Sequence, residues 1–284
     1  MIEQVRPLFA KEKMPLIDLE ETIFALDSTS ISVSINLAAW ASGKYSRGAV
    51  KMHTLLDLRG NIPTFIHISD GTWHDSNVMD YIQFESNAVY TMDKAYVDLT
   101  ALNKMDSIGA YFVTRAKSVM RYRIIETMDT NEGGILADQL VMPTGHKSSR
   151  LYPKPLRIVQ YRDAETNEEL TFISNNMDIS ALDIANIYRN RWQIEVFFKW
   201  IKQNMTVKRM WGYSENAVRI HLWTAIISYL LMAKIKAYLQ TEYSITEVAR
   251  ILGVSALAKT PIRELLAKDQ PTIENQNVKE LKLF

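Results

Sequence analysis

The apolar residues in the first 116 positions form short runs separated by polar turns. Residues 49–58 and 61–70 flank Arg59-Gly60-Asn61, a turn signal that predicts an antiparallel hairpin. Strands and helices are predicted to alternate around this hairpin, which is typical of an α/β sheet covered by helices. The other predicted elements are a strand from 21 ending at Asp27, a helix over 74–83, a strand over 87–93, a helix over 97–107 and a strand over 109–116.

The pattern changes twice after this region. Residues 117–177 contain short alternating runs and two prolines, which predicts a β-rich insertion built from hairpins. Beyond Asp178 the chain is helical almost to its end. We therefore divide it into a lead-in (1–20), a catalytic domain (21–240) that contains the insertion, and a C-terminal helical segment (241–284).

A single helix is predicted from about 179 to 204, capped by Asp178 or Ser180. Apolar residues lie on nearly all of its sides, which is typical of a buried helix. Four polar side chains nevertheless fall within roughly 60° of one another around its axis. They are Tyr188, Arg191, Glu195 and Lys202. Buried charges need partners, metal ions or a cleft, so this stripe predicts either a structural ion-pair row or a functional site.

Composition excludes several classes of protein. The 284 residues include no cysteine, which rules out disulfides and thiolate metal sites. The N-terminus has no apolar signal core, and the run Leu222–Ala233 is too short to span a bilayer, so we expect a cytoplasmic protein with no membrane partner. The net charge is only +1, but the basic residues are clustered. Residues 185–210 contain six Lys or Arg and one acid, and Arg115 and Lys117 belong to a second cluster, as expected for phosphate binding.

Asp27 and Asp93 each follow an apolar, strand-like run. An aspartate in that position is often only a turn former or a helix cap. Two such residues at neighbouring strand ends could also meet Glu195 from a helix packed on the same sheet. Three adjacent carboxylates repel one another unless cations lie between them, and hard oxygen ligands suit Mg²⁺.

The residues Tyr188, Arg191, Glu195 and Lys202 match the Y-x2-R-x3-E-x6-K signature in type and spacing. On these residues the chain resembles the DDE transposases of the insertion-sequence-four group. The segments LDSTSI around Asp27 and MDKAY around Asp93 are similar to the two aspartate motifs of that family. FVTRAK (112–117) is also similar, and the resemblance covers roughly residues 20–265.

The resemblance implies an RNase H-like fold: a mixed sheet flanked by helices, with a β-rich insertion before the glutamate helix and a helical C-terminus. It implies metal-dependent cleavage of transposon DNA ends and strand transfer into target DNA. It also implies a transposase dimer on paired ends, and a cytoplasmic, nucleoid-associated location. Asp27, Asp93 and Glu195 would be catalytic and would bind Mg²⁺, for which Mn²⁺ can substitute. Tyr188, Arg191 and Lys202 would contact DNA, as would Arg115 and Lys117.

Trp192 is a further candidate, because it follows the signature arginine. Some relatives flip a base out of the duplex, and Trp192 could stack on it; the alternative is that Trp192 belongs to the core. The chain departs from the family in two ways. It begins too close to the first catalytic strand to include the N-terminal DNA-binding region that is usual there. The insertion also contains no Trp, so His146 or Tyr152 would have to supply any stacking aromatic.

Two other functions remain open at this stage. One is an inactive, DNA-binding relic of an insertion element, which would show salt-sensitive DNA binding without metal-dependent cleavage. The other is an RNase H-like nuclease, which would cut DNA but never join the ends to a target.

Overall fold

A computed structural model describes residues 1–33, 48–130, 133–204, 212, 214–257 and 259–267. The chain divides into two compact units, Met1–Leu230 and Leu231–Phe284. The strands are β1 (Ile23–Ser32), β2 (Ala49–Asp57), β3 (Ile62–Asp70), β4 (Val89–Met92), β5 (Tyr111–Arg115), β6 (Tyr122–Met128), β7 (Ile135–Pro143), β8 (Leu156–Arg162) and β9 (Glu169–Ser174). The helices are α1 (Ile2–Val5), α2 (Leu99–Ser107), α3 (Ser148–Leu151), α4 (Ala181–Asn190), α5 (Trp192–Asn204), α6 (Glu215–Leu239), α7 (Ile245–Val254) and α8 (Ile262–Leu265).

The described strands form one mixed sheet in the order β3-β2-β1-β4-β5-β9-β8-β7-β6. The hairpin strands β2 and β3 lie antiparallel beside β1, whereas β4 and β5 run parallel to it. This helix-flanked mixed sheet confirms the RNase H-like fold class. The predicted insertion supplies β6 to β9, and these extend the same sheet through the antiparallel pairing of β9 with β5.

Neighbouring side chains on a strand point to opposite faces, and the two faces of the sheet carry different helices. On one face, Ile173 of β9 belongs to a buried cluster with Leu102 and Met105 of α2. On the other face, the adjacent Phe172 packs against Tyr188 of α4, with ring centroids 4.9 Å apart. The sheet is therefore covered on both sides, and α4 and α5 lie on the face opposite α2.

Two of the elements predicted before residue 90 differ from the prediction in ways that affect the site. Strand β1 does not end at Asp27 but continues to Ser32, because β2 pairs with it as far as Ser32↔Ala49. The segment predicted as a helix over 74–83 is instead a 3₁₀-helix over Asp75–Asp80, and its N-cap, His74, makes no side-chain capping bond.

The hairpin turn occurs where Arg59-Gly60-Asn61 predicts it. Gly60 has a φ of +74° and Asn61 a φ of +57°. Residues with a side chain, other than Asn and Asp, adopt such positive φ values only at an energetic cost. A Cβ atom on Gly60 would lie 2.3 Å from Cδ1 of Phe9, a buried residue of the lead-in. Both features make glycine necessary at this position.

Replacing Gly60 by Ala is therefore expected to destabilise the fold by about 1–3 kcal/mol. Urea unfolding of the variant should show a lower midpoint with an unchanged slope. Gly133→Ala is a suitable control, because nothing lies within 4 Å of a Cβ built there. Equal midpoints for the two variants would contradict this explanation.

A buried ion pair fixes the beginning of α4 on the sheet. Arg157 on β8 donates to both carboxylate oxygens of Asp138 on β7, at 2.9 and 2.7 Å. Its remaining Nη1 donates to the carbonyl oxygens of Asn176 and Ile179, at 3.3 and 2.6 Å. Ser180 then caps α4, as predicted, by accepting from the Asp183 amide. The helix that leads into the signature residues is thus tied to the insertion strands.

Helix α6 is long and apolar enough to cross a membrane by length and composition, and it is the one such helix in the described residues. Within the first unit its Tyr229 is buried, and the ring packs edge-on against Phe197 and Trp200 of α5 at 4.9 Å. The Tyr229 hydroxyl donates to the carbonyl oxygen of Asn61 at 3.0 Å. These contacts are those of a core helix, which passes the same test of length and composition.

The C-terminal unit contains α7 and α8, which contact each other. Helix α7 begins with a capping box, in which Ser244 and Glu247 satisfy each other's backbone amides. The predicted helical C-terminus is confirmed over the described residues. Lys208 and Arg209 of the predicted basic cluster lie outside the described residues, as does the chain beyond residue 267.

Candidate active site

The parallel pairing of β1 and β4 brings the two aspartates together. The last pair in this register is Leu26↔Met92, so the next residues are Asp27, within β1, and Asp93, directly after β4. Leu26 and Met92 both belong to the buried cluster on the α2 face, so their successors point towards the α5 face. Asp93 also caps the 3₁₀-helix Lys94–Tyr96 by accepting from the Ala95 amide at 3.0 Å. Capping this 3₁₀-helix is therefore one role of Asp93.

The glutamate helix is broken at Arg191, contrary to the single helix predicted over 179–204. Helix α4 ends at Asn190 and α5 begins at Trp192. Around the break the hydrogen bonds span three residues instead of four: the Arg191 amide donates to Tyr188 at 3.1 Å and the Ile194 amide to Arg191 at 3.0 Å. The Asn190 side chain donates to the carbonyl oxygen of Pro15 at 3.0 Å, which holds the end of α4. Tertiary contacts from the lead-in thus accompany the break.

The Arg191 side chain lies between two of the predicted catalytic acids. Its Nη1 donates to Asp27 Oδ2 and its Nη2 to Glu195 Oε1, each at 2.9 Å. The guanidinium carbon is 5.4 Å from the centre of the Tyr188 ring, which is a cation–π distance. Only 14 % of the Arg191 side chain is exposed. The predicted stripe is therefore preserved across the break, with Arg191 bridging a strand and a helix.

Burial raises the pKa of Asp27 to about 6. The Ser28 amide and the Arg191 guanidinium act in the opposite direction, whereas the nearby carboxylates of Glu195 and Asp93 raise it further. The Ser28 amide donates to Asp27 Oδ1 at 2.8 Å. The three acids thus interact electrostatically, and the ionised form of Asp27 is costly when no further cation is bound.

This cost predicts a pH-dependent stability. Because the folded pKa of Asp27 lies above its value of 3.8 in a free chain, the ionised side chain favours the unfolded state. Its unfavourable effect should appear as the pH rises through 4 and reach its full extent above about 6. Asp27→Asn should therefore stabilise the metal-free protein at pH 7.5 by about 2 kcal/mol, but not at pH 4.

Urea unfolding of both proteins at several pH values, with a chelator present, measures this difference. Asp18→Asn is the control, because the Asp18 side chain is 96 % exposed. The explanation fails when the difference between Asp27→Asn and wild type stays constant from pH 4 to pH 7.5.

The donor set suits a hard divalent cation, but the arrangement is not that of a closed metal cage. In the described part of the chain, no three His, Asp or Glu side chains stand close enough to hold one ion. Between Asp27 and Glu195 lies the Arg191 guanidinium, which forms an ion pair with each carboxylate. Oxygen donors that already gather around a positive charge fit Mg²⁺, provided that this guanidinium withdraws.

Two clefts are lined by these acids, and a third lies next to Arg191. A cleft of about 470 Å³ next to Asp27 and Glu195 is also lined by Lys199 and Lys202. A groove of about 770 Å³ contains Asp93, Arg115 and Lys117 among its lining residues. A third, of about 270 Å³, is lined by the remaining candidates of the signature region, Tyr188, Arg191 and Trp192. All the candidate DNA-contact residues therefore line clefts at the acids or next to them.

The basic residues of the larger groove already have partners within the chain. Arg115 donates to Glu168 at 3.0 Å, and Lys117 donates to the carbonyl oxygen of Val97 at 2.8 Å. Arg115 also lies close enough to Tyr188 to lower the pKa of that phenol, although burial has the larger effect and raises it. Arg115 thus belongs to the same electrostatic neighbourhood as the signature tyrosine.

The candidate stacking residues differ in how exposed their rings are. Trp192 is 60 % exposed at the first turn of α5, so the core alternative is wrong for this residue. Tyr152 is fully buried against Phe112, with centroids 6.2 Å apart, and is unavailable to stack on a base. His146 is exposed on the segment between β7 and α3.

Sequence reasoning missed a polar network behind Asp27. Lys51 and His53 face away from Asp27, because they pair with Ser30 and Ser28, whose side chains point to the other side of β1. Asp75, the first residue of the 3₁₀-helix, accepts hydrogen bonds from Ser28 Oγ and Lys51 Nζ. The strand register was the missing information, since it decides which of these polar residues share a face.

Comparison with known proteins shows which family the chain resembles. Residues 18–231 match the family model described as the transposase DDE domain. The chain is 32 % identical over 212 residues to the candidate transposase y4zB of Sinorhizobium fredii, covering 73 % of this chain and 59 % of the relative. It is 29 % identical over 210 residues to the candidate transposase for insertion sequence element IS5377 of Geobacillus stearothermophilus, covering 73 % and 55 %.

The chain thus spans a little over half the length of these curated relatives. Among solved structures, the cryo-EM structure of the piggyBac transposase synaptic complex with hairpin DNA aligns with a TM-score of 0.46 and 11 % identity, covering 91 % of this chain and 60 % of that one. The family model alone covers well over half of the chain. The chain belongs to the transposase DDE domain family.

Proposed function

We propose that the chain carries the catalytic domain of a DNA transposase, which cleaves transposon DNA ends and transfers a strand into target DNA. The observation that carries this proposal is that Asp27 and Asp93 follow the paired residues Leu26 and Met92 of adjacent parallel strands, while Arg191 joins Asp27 to Glu195. Acids of this kind have little structural value unless a cation accompanies them. The names of the curated relatives support the same assignment.

Asp27, Asp93 and Glu195 would hold divalent ions, with Mg²⁺ as the natural ion and Mn²⁺ as a substitute. When bound, two such ions activate the attacking oxygen and stabilise the leaving oxygen in phosphoryl transfer. The chain's own contribution is to supply the oxygen ligands and to fix their positions. Asp27 and Asp93 are fixed by paired strands, and Glu195 by a helix that packs on β1.

The residues around the acids would bind the DNA backbone. Arg191 would exchange its two carboxylate partners for phosphate oxygens, which guanidinium groups bind in the same two-pronged manner. Lys202, Arg115 and Lys117 line the clefts on either side and would add phosphate contacts. The Tyr188 ring would hold the Arg191 guanidinium through their cation–π contact.

Trp192 would supply the exposed ring for stacking on an unpaired base. Its place beside Tyr188 and Arg191 in the same cavity supports this role. We further propose that the protein works as a dimer on paired DNA ends, and that it acts in the cytoplasm in association with the nucleoid.

A strand-cleavage and strand-transfer assay tests the proposed function. The substrate is duplex DNA carrying the ends of the element that encodes the chain, with a labelled 3′ end and a supercoiled target. We expect cleavage and joined products with Mg²⁺ or Mn²⁺, and neither with EDTA. Cleaved ends without joined products would indicate a nuclease. Salt-sensitive binding with no cleavage in any metal would indicate an inactive relic.

A further inference from the structure

We infer that Asp75 is a positioning residue for Asp27, acting through Ser28 from the opposite face of the sheet. This inference rests on the proposed function, since it assigns Asp75 a part in holding a metal ligand. Asp75 is the first residue of the 3₁₀-helix Asp75–Asp80, which follows the hairpin. It has no place in the aspartate motifs or in the signature stripe.

Ser28 connects the two faces of β1. Its backbone amide donates to Asp27 Oδ1 at 2.8 Å, which sets the orientation of that carboxylate. Its hydroxyl, on the other face, donates to Asp75 Oδ1 at 2.7 Å. A displacement of Ser28 would therefore change the position of the Asp27 oxygens. Asp75 restrains that displacement with a short, charge-assisted hydrogen bond.

Asp75 is itself held by its surroundings. Lys51 Nζ donates to Asp75 Oδ1 at 3.2 Å and to the carbonyl oxygen of Trp73 at 2.9 Å. The Lys51 and Asp75 side chains are 16 % and 25 % exposed, so solvent screens their ion pair less than it would at the surface. Val78 and Met79 of the same 3₁₀-helix are buried in the core cluster. The carboxylate is thus anchored by a cation and by the core.

Two further buried groups belong to this network. His53 is fully buried, and its Nδ1 lies 3.7 Å from Asp75 Oδ1 while its Nε2 is 2.9 Å from Ser69 Oγ. Tyr96, the last residue of the 3₁₀-helix that Asp93 caps, is 1 % exposed. Burial and the negative charges of Asp27, Asp75 and Asp93 all raise its pKa, so the phenol lies near all three carboxylates. Asp75 therefore lies within the electrostatic neighbourhood of the site despite facing away from it.

A surface ion pair would not have these features. An ordinary structural pair of Lys51 and Asp75 would stabilise the hairpin and leave Asp27 unaffected. The hydrogen-bonded path from Asp75 through Ser28 to Asp27 predicts instead that removing Asp75 weakens metal binding at the site. Outer partners of metal ligands commonly change metal affinity or activity by about 10–100-fold.

The test compares Asp75→Asn with Asp80→Asn, an exposed acid of the same 3₁₀-helix. We expect Asp75→Asn to weaken Mn²⁺ binding by about ten-fold and to lower kcat for DNA cleavage by about ten-fold, with KM for DNA unchanged. Asp80→Asn should match the wild type in all three quantities. Circular dichroism and urea unfolding of each variant establish that the proteins compared are folded.

Ser28→Ala provides a second variant that removes only the hydroxyl. It should reproduce the loss in Asp75→Asn, and the double variant should lose no more than either single variant. Wild-type activity in Asp75→Asn, or additive losses in the double variant, would overturn the inference while leaving the proposed function intact. A wild-type protein that neither binds Mn²⁺ nor cleaves DNA would overturn both.

Discussion

Replacing Glu195 by Gln should lower metal-dependent DNA cleavage by on the order of 10³-fold or more. Glutamine keeps the size of the side chain but removes the negative charge that would hold a divalent ion. The fold should survive, because Glu195 makes one ion pair with Arg191 and its side chain is 34 % exposed. Rates from single-turnover cleavage of labelled end DNA at saturating protein would measure the loss.

Two measurements distinguish a loss of metal binding in Glu195→Gln from a general loss of folding. Glu126→Gln, an exposed acid on the outer strand β6, should cleave at the wild-type rate. DNA affinity of the Glu195→Gln protein should be equal to that of the wild type, or higher, since a carboxylate no longer faces the phosphates. Cleavage by Glu195→Gln within about ten-fold of wild type would show that Glu195 does not hold the reacting metal.

The second large effect is expected at Arg191. Because its guanidinium occupies the space between Asp27 and Glu195, a metal ion must compete with it. Arg191→Gln should therefore raise the affinity for Mn²⁺ in the absence of DNA by about ten-fold, as expected from loss of a competing charge. The same change should abolish most cleavage, because the phosphate contact is lost. The salt dependence of DNA binding should decrease by about one unit of slope.

The prediction is specific because Arg191→Gln should raise the affinity for Mn²⁺ while it lowers DNA cleavage. Arg162→Gln is the control, since Arg162 is a half-exposed residue that pairs with Glu169 at 2.6 Å and lines none of the three clefts described above. Calorimetric Mn²⁺ titration and DNA binding at several salt concentrations give the two quantities. Weaker Mn²⁺ binding in Arg191→Gln would mean that Arg191 supports the metal site instead of competing for it.

Much of the fold could be predicted because it depends on local patterns. The hairpin was marked by Gly60 and Asn61, which the turn requires with positive φ. The β-rich insertion and the helical C-terminus were visible as changes of periodicity. The end of β1 was predicted wrongly because it depends on how far β2 pairs, which is a tertiary matter. The break at Arg191 was missed for the same reason, since neither Gly nor Pro marks it.

The site was predictable where helical spacing determined it. Arg191 contacts both Tyr188 and Glu195 because three- and four-residue separations bring side chains to one side of a helix. The contact between Arg191 and Asp27 joins residues 164 positions apart and needed the coordinates. Asp75 could not be assigned to the site from the sequence because its partner Ser28 lies 47 residues away, on a face that only the strand register reveals.

Mn²⁺ binding to the wild-type protein and to Asp93→Asn, measured by electron paramagnetic resonance with and without end DNA, tests the metal site most directly. Acids from two strands and a helix should bind the ion saturably, and loss of the Asp93 charge should weaken this binding by at least ten-fold. Identical titrations of the two proteins, or no saturable binding to the wild type in either condition, would contradict a metal site built from these acids.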